Sequence, residues 1–394
     1  MQQYHITVMK GGFIVDKLEI DYSSYYFSVV PFIKAARELD CWCLLIVGAR
    51  DRGKTYSMLE YAYDQKEQLI FCKRQVSDID LLCSAAKKAK KKIKADDEDE
   101  YYLDDEDDDL SPYADLNEDK HINVQPKKIY EGVASFHDRD AEDRSVFKCG
   151  YAFAIASVAK YKGFGGLRKC DYLVFDEFIP SPWERKISKL EGEAVLDLYA
   201  TASRDREQRG KRPLLFVGLA NANDLSNQLF NALEITDEVA DMVNNHEEIR
   251  KIGGKLIVLV DDSKLQVAKD EKKTLIYQDL KDTTWGRVTY SNQFARNDLS
   301  CIGHTSIKGM KCKCEVIYKS ESWFIYQKEQ MYYVCSSRSN KCDLVYDLDF
   351  EAPRKPFYLK EAVAIINAYH KGNVKFQKFR MYDVIIHFKK FFDI

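Results

Sequence analysis

Residues 48–55 read Gly-Ala-Arg-Asp-Arg-Gly-Lys-Thr and fill every fixed position of the phosphate-binding pattern G-x-x-x-x-G-K-[ST]. No other stretch narrows the fold as much, because this loop works only between a buried strand and a helix. The context agrees. Cys43-Leu44-Leu45-Ile46-Val47 is an apolar run of strand length, and Tyr56-Ser57-Met58-Leu59-Glu60-Tyr61-Ala62 can continue as a helix. Gly48 and Gly53 let the backbone turn so that successive N–H groups face phosphate oxygens, and the helix start adds partial positive charge. Lys54 is then placed to reach β- and γ-phosphates, and the Thr55 hydroxyl to ligate Mg²⁺.

A second string, Tyr172-Leu173-Val174-Phe175-Asp176-Glu177, is an apolar strand ending in two acids. Asp176 would bind Mg²⁺, and Glu177 would polarise the water that attacks the γ-phosphate. Together with the upstream loop, the doublet points to an ATPase carrying its catalytic glutamate beside the metal aspartate, and away from small GTPases and small-molecule kinases. A third string, Ser203-Arg204-Asp205-Arg206-Glu207, offers an arginine that a helix end could insert into a neighbouring subunit's site; surface arginines paired with Asp205 and Glu207 read equally well from spacing. A fourth, Gly218-Leu219-Ala220-Asn221, ends a strand in an amide where γ-phosphate loss can be sensed, although a strand-end turn favours Asn too. Lys73 and Arg74 end another strand, and Lys160 and Lys162 precede Gly163-Phe164-Gly165-Gly166; these basic groups would act in trans or grip DNA.

The chain of 394 residues, 45% hydrophobic and 13% aromatic, is expected to form two domains with real cores. No run of eighteen apolar residues marks a membrane span, and Met1–His5 lacks the charged and apolar regions of a secretory signal. Eleven cysteines then read as reduced thiols in a cytosol-like compartment. Cys312-Lys313-Cys314 and Cys335 with Cys342 lack zinc spacing and read as ordinary buried cysteines. The net charge of −3 argues against simple nucleic-acid coating, but charge is segregated: a lysine run at 87–94, carboxylates at 96–109, and a basic stretch from Pro353 onward.

Strand-length apolar runs at Leu44–Val47, Leu69–Cys72, Tyr151–Ala156, Tyr172–Phe175, Leu214–Leu219 and Leu256–Val260 alternate with helical patterns such as Leu190–Ala202. That alternation predicts an α/β domain over 43–262 with a mostly parallel sheet. Residues 1–42 read as an extension packed on it, with a helix at Pro31–Leu39. The segment 87–120 reads as a solvated helix and a disordered acidic loop, or else as an element that repels DNA or contacts a partner. Residues 263–290 read as a linker or hinge. From 291 to 394, short strands at Cys314–Tyr318, Trp323–Tyr326 and Met331–Cys335, then helices at Lys360–Tyr369 and Met381–Phe392, predict a smaller α+β domain.

Several strings together resemble the phi29-type phage DNA-packaging (encapsidation) ATPases. They are Val47-Gly48-Ala49-Arg50 with Gly53-Lys54-Thr55-Tyr56, then Val174-Phe175-Asp176-Glu177-Phe178-Ile179, Arg204-x-Arg206-Glu207, Leu219-Ala220-Asn221-Ala222 and Ser291-Asn292-Gln293-Phe294. The resemblance implies an additional-strand (ASCE) P-loop ATPase domain and a C-terminal RNase H-like domain that has lost its nuclease carboxylates and binds nucleic acid. It implies ATP and Mg²⁺ as cofactors, with Gly48, Gly53, Lys54, Thr55, Tyr56 and Asn221 around the nucleotide and Thr55 and Asp176 on the metal. Glu177 is implied as the catalytic glutamate and Arg204 as the arginine finger acting in trans. Lys73 or Arg74, and Lys162, would hold the glutamate or assist in trans; Arg206 joins them as a candidate for trans or DNA contact. The implied partners are sequence-independent double-stranded DNA, the portal of an empty prohead, a packaging RNA, and further copies of the chain in a ring, usually a pentamer. The site of action would be the host cytoplasm, transiently on the prohead and outside the finished virion. Two alternatives stand beside this. One is a terminase-like packaging ATPase that also cuts DNA, which needs carboxylates such as Glu315, Glu321, Asp343, Asp347 and Asp349 to converge. The other is a non-enzymatic prohead docking protein with a vestigial nucleotide site.

Overall fold

The computed structural model describes residues 8–10, 13–15, 18–84, 110–139, 147–161, 163–181, 184, 187–283, 286, 294, 297, 299–338 and 342–394. The chain forms two units: Met1–Ala232 with His246–Ala295, and Leu233–Asn245 with Arg296–Ile394. The stretch read from sequence as a linker at 263–290 thus falls in the first unit, where it carries the short helices Gln266–Glu271 and Leu275–Leu280.

A hairpin of β1 (Val8–Lys10) and β2 (Phe13–Val15) opens the first unit. Its main sheet is built from β3 (Cys43–Val47), β4 (Leu69–Lys73), β5 (Val124–Tyr130), β6 (Val133–Asp138), β7 (Phe147–Ala154), β8 (Tyr172–Asp176), β9 (Leu215–Ala220), β10 (Ile249–Ile252) and β11 (Lys255–Leu259). The order is β10-β11-β3-β9-β8-β4-β7-β6-β5. From β11 through to β7 every neighbour is parallel, while β10 at one edge and β6 and β5 at the other are antiparallel. The expected α/β sheet is therefore present, with β9 inserted between the P-loop strand β3 and the acid-ending strand β8.

The buried run of each central strand explains the parallel core. All five residues of β3 and all six of β9 are buried, as helices covering both faces of a parallel sheet require. The edge strands were not legible in the sequence. β5 contains Pro126 and a run of exposed residues, which a strand tolerates only at an edge. The register is what matters for function: Val47 pairs with Ala220, Leu219 with Asp176, and Leu259 with Val47. Four parallel strands thus end level, and the residues that follow them share one edge, where ligands of open α/β sheets bind.

The helix Val30–Glu38 starts with Pro31 in its first turn, where the missing N–H costs nothing, and buries Phe32, Ile33, Ala35 and Ala36. The segment before it lies against the P-loop: Phe27 N–H donates to Arg52 O at 2.9 Å and Val29 N–H to Ser57 Oγ at 3.1 Å. Of the charged segment 87–120, residues up to 109 lie outside the described residues. Its end is a helix, Ala114–Lys120, tied to the helix Lys54–Asp64 by Lys120 Nζ, 2.7 Å from Asp64 and 3.2 Å from Glu60.

The second unit has a five-stranded sheet of β12 (Lys311–Tyr318), β13 (Glu321–Lys328), β14 (Met331–Cys335), β15 (Val345–Asp347) and β16 (Val374–Phe376), ordered β15-β12-β13-β14-β16. β12, β13 and β14 form the expected antiparallel meander, and the parallel strands β15 and β16 close its two edges. Helices accompany the sheet, making the domain α+β. The expected helix Met381–Phe392 is interrupted at His387, dividing into Phe379–Ile386 and Phe388–Phe391. Helix Thr236–Asn244, contributed from the middle of the chain, joins this unit through Asp237, whose carboxylate accepts the Arg380 N–H at 2.7 Å. The expectation of reduced thiols throughout fails at one pair: Cys312 and Cys342 form a disulfide with a Cα separation of 6.0 Å. The partners come from the two different cysteine pairs of the sequence, 30 residues apart, so local spacing did not reveal them. The nine other cysteines are buried thiols.

Candidate nucleotide site

The loop after β3 turns through Asp51, at φ 55°, and Gly53, at φ 86°, into the helix Lys54–Asp64. At Gly53 a side chain would be strained, and its Cβ would stand 3.0 Å from Tyr26 Cβ. Gly48 N–H donates to Ala220 O at 3.0 Å, which anchors the loop to β9. Lys54 is buried at 8% exposure, its Nζ donating to Gly48 O at 3.0 Å, to Ala49 O, and to Asn221 Oδ1 at 3.4 Å. Burial pushes its ammonium below the usual value, while Asp262 and Asp176 pull it back up. Asn221, one residue past β9, is therefore in contact with the loop lysine.

The acid-ending strand meets the loop directly. Thr55 Oγ1 donates to Asp176 Oδ1 at 2.9 Å, and Lys73 Nζ lies 3.6 Å from Asp176 Oδ2. Two oxygens that would share a metal ion are thus already adjacent, a donor set suited to Mg²⁺. Glu177 follows at φ 56°, a left-handed conformation uncommon for Glu. Arg74 pins that turn: its Nη2 donates to Glu177 O at 2.7 Å, while Nε and Nη1 bond Glu191 at 2.9 Å and Glu184 at 2.6 Å.

Two of the basic residues are internal: Arg74, read as holding the catalytic glutamate or acting in trans, and Arg206, read as a candidate for trans action or DNA contact. Arg74 is 3% exposed and committed to its glutamates and to the Glu177 carbonyl. Arg206 is 5% exposed and braces the start of β8 and the approach to β9, donating to Asp171 Oδ1 at 3.0 Å, Arg168 O at 3.1 Å, Arg212 O at 3.1 Å and Cys170 O. Arg204, by contrast, caps the end of helix Glu191–Ser203 with its side chain 67% exposed, 3.9 Å from Asp205. Tyr56 packs at the core's margin beside Asp119, and burial together with that carboxylate pushes its hydroxyl up to about 12. Lys162, with Ser291 to Gln293, lies outside the described residues.

Sequence reading missed a second carboxylate at the loop. Asp262, just beyond β11, is 1% exposed and accepts the Ala49 N–H on Oδ2 at 2.5 Å. Burial pushes it up to about 6 against the opposing pull of Lys54 and Arg52. The signal was available: Leu256–Val260 followed by Asp261-Asp262 repeats the pattern of an apolar strand ending in two acids. Arg52 in the loop was also passed over; it is 2% exposed and paired with Glu271.

No family model and no curated protein matches the chain. Solved structures do. A structure described as the Phi-28 gp11 DNA packaging motor aligns at 16% identity over 93% of this chain and 96% of that one, with a TM-score of 0.55. The bacteriophage Phi-29 viral genome packaging motor assembly aligns at 17% identity over 94% and 100%, with a TM-score of 0.57. The fold is that of the phage DNA-packaging motors. Both alignments span nearly the whole chain, so the packaging-motor fold takes in the small α+β unit as well as the nucleotide domain. Of the five acids named for a nuclease, three are engaged locally: Glu315 accepts from Ser322 Oγ at 2.7 Å, Glu321 pairs with Arg380 at 2.7 Å, and Asp349 accepts the Lys319 and Ser320 N–H groups at 2.7 and 3.1 Å; among the described residues no three such groups stand close enough to hold a metal ion.

Proposed function

We propose that this chain is an ATP-hydrolysing motor that moves double-stranded DNA into a phage prohead. The observation that carries the reading is the meeting of Thr55 with Asp176 at 2.9 Å, beside a buried P-loop lysine, in a packaging-motor fold. Gly48, Gly53 and Lys54 would cradle the phosphates, and Thr55 and Asp176 would hold Mg²⁺, which when bound neutralises phosphate charge. Glu177 takes the proton of the attacking water. The left-handed turn that Arg74 pins sets where that carboxylate starts. Asn221, in contact with Lys54, reports loss of the γ-phosphate. Arg204, exposed at a helix end, reaches the nucleotide of a neighbouring copy as an arginine finger, which makes the working form a homo-oligomeric ring, a pentamer at the portal with a packaging RNA as a further partner. DNA is held through its phosphates without base readout, so its binding weakens with salt. The protein acts in the host cytoplasm, transiently on the prohead.

The test is ATP turnover by wild type and Glu177→Gln, with and without double-stranded DNA, in the presence of proheads. The reading expects turnover that DNA stimulates and that the variant abolishes. Turnover indifferent to DNA in the assembled state contradicts translocation, and a silent wild type contradicts the motor altogether.

A further inference from the structure

Asp262 touches the phosphate-binding loop but belongs to neither of its motifs. One oxygen, Oδ2, accepts the Ala49 N–H; the other, Oδ1, is buried without a hydrogen-bond partner and lies 3.2 Å from where a Cβ on residue 48 would stand. A buried carboxylate oxygen left without a hydrogen-bond partner is costly. The charged groups around it are few. Lys54 and Arg52 face it from the loop and the helix start, with Lys54 also under the influence of Asp176 and Asp51 and Arg52 held by Glu271. On its own segment, Asp261 and Lys264 are engaged with each other at 3.2 Å and Lys264 with Glu248 at 2.5 Å.

Resting on the ATPase reading, we propose that Asp262 is a positioning residue for the nucleotide's phosphates: it holds the Ala49 amide in place and sets a negative charge against Lys54 that incoming phosphates must replace. Two consequences follow. The loop keeps its shape before nucleotide arrives, because the Ala49 N–H already has an acceptor. When phosphates take Lys54 as their counter-ion, Asp262 loses part of its compensation and gains anionic neighbours, so it takes up a proton; the neutral acid still accepts from Ala49. Since the carboxyl already titrates near 6 without nucleotide, binding weakens as pH rises from about 6 towards the higher value it takes with nucleotide bound.

The experiment measures the affinity of wild type, Asp262→Asn and Asp262→Ala for a fluorescent ADP with Mg²⁺ from pH 6 to 8, and proton uptake by calorimetry in two buffers of different ionisation enthalpy. Asn keeps an acceptor for Ala49 and removes the charge; Ala removes both. Asp262→Ala is expected to bind about tenfold more weakly throughout, the loss of one buried hydrogen bond. Asp262→Asn is expected to bind at least as tightly as wild type at pH 8 and to take up less proton. The nucleotide's own titration is common to all three, so the difference belongs to Asp262. If Asp262→Ala does not fold, Asp262→Asn alone decides. Three indistinguishable proteins that bind nucleotide would overturn the role of Asp262 and leave the ATPase reading intact. A wild type that binds none overturns both.

Discussion

The P-loop strand β3 has a carboxylate on either flank, and the two behave differently. On the β8 flank, Asp176 is 15% exposed and shared between the Thr55 hydroxyl and Lys73. On the β11 flank, Asp262 is 1% exposed, with one amide donor and one unpartnered oxygen. Asp176 ends β8 and Asp262 comes three residues after β11, both at the edge where these parallel strands end level with β3. Their surroundings separate them. The β8 flank is open and lined by a hydroxyl and an ammonium, which leaves Asp176 able to take a metal. The β11 flank is sealed, so Asp262 can only act on the loop itself. The arginines divide in the same way: Arg74 braces the Glu177 turn from inside, Arg206 is buried at the opposite end of β8, and Arg204 is exposed at the end of its helix, 3.9 Å from Asp205.

The largest expected effect that sharpens this contrast is on turnover at the open flank. Glu177→Gln should lower ATP turnover by roughly 10²- to 10⁴-fold while nucleotide still binds, measured by steady-state hydrolysis beside fluorescent-nucleotide titration. Next in size is the internal brace of that flank. Arg74→Ala leaves Glu191, 4% exposed, without its cation and should cost about 3–5 kcal/mol of stability, read from the denaturation midpoint; an unchanged midpoint would break the distinction between inner and outer arginines.

On the closed flank the expected effect is a pH slope. The Asp262 carboxyl is raised from 3.8 to about 6 by burial, so its contribution to stability is full below 3.8 and lost as pH rises through 6. Wild type should therefore lose about 2 kcal/mol relative to Asp262→Asn between pH 4 and pH 6, measured by denaturant unfolding across that range. Parallel curves for the two proteins would contradict the sealed environment assigned to Asp262. Smallest is Arg204→Ala, whose melting should stay within about 0.5 kcal/mol of wild type because the side chain is exposed, even as turnover falls.

The sequence made the open flank legible because its chemistry is written in short local strings. Gly48 to Thr55 and Tyr172 to Glu177 each carry their residues within one strand-and-turn unit, and the apolar runs placed the parallel strands to within a few residues. What it hid depends on distant partners. Arg74 is buried because Glu191 lies 117 residues away, and Arg206 because the Arg168 and Cys170 carbonyls and the Asp171 carboxylate meet it; neither fact has a local signal. Asp262 was passed over although its run of apolar residues ending in two acids repeats the β8 pattern, since nothing local says that a loop 213 residues upstream would seal it. β10 escaped because Ile249-Arg250-Lys251-Ile252 is too short and too polar to stand out.

The most direct test of a site shared between copies is complementation. ATP turnover is measured for Glu177→Gln alone, for Arg204→Ala alone and for their mixture, at concentrations spanning assembly and with double-stranded DNA. Two silent variants that recover partial turnover when mixed are the predicted result, because some interfaces then pair an intact Glu177 with an intact Arg204. Full activity in Arg204→Ala would contradict it, as would a mixture no more active than its parts.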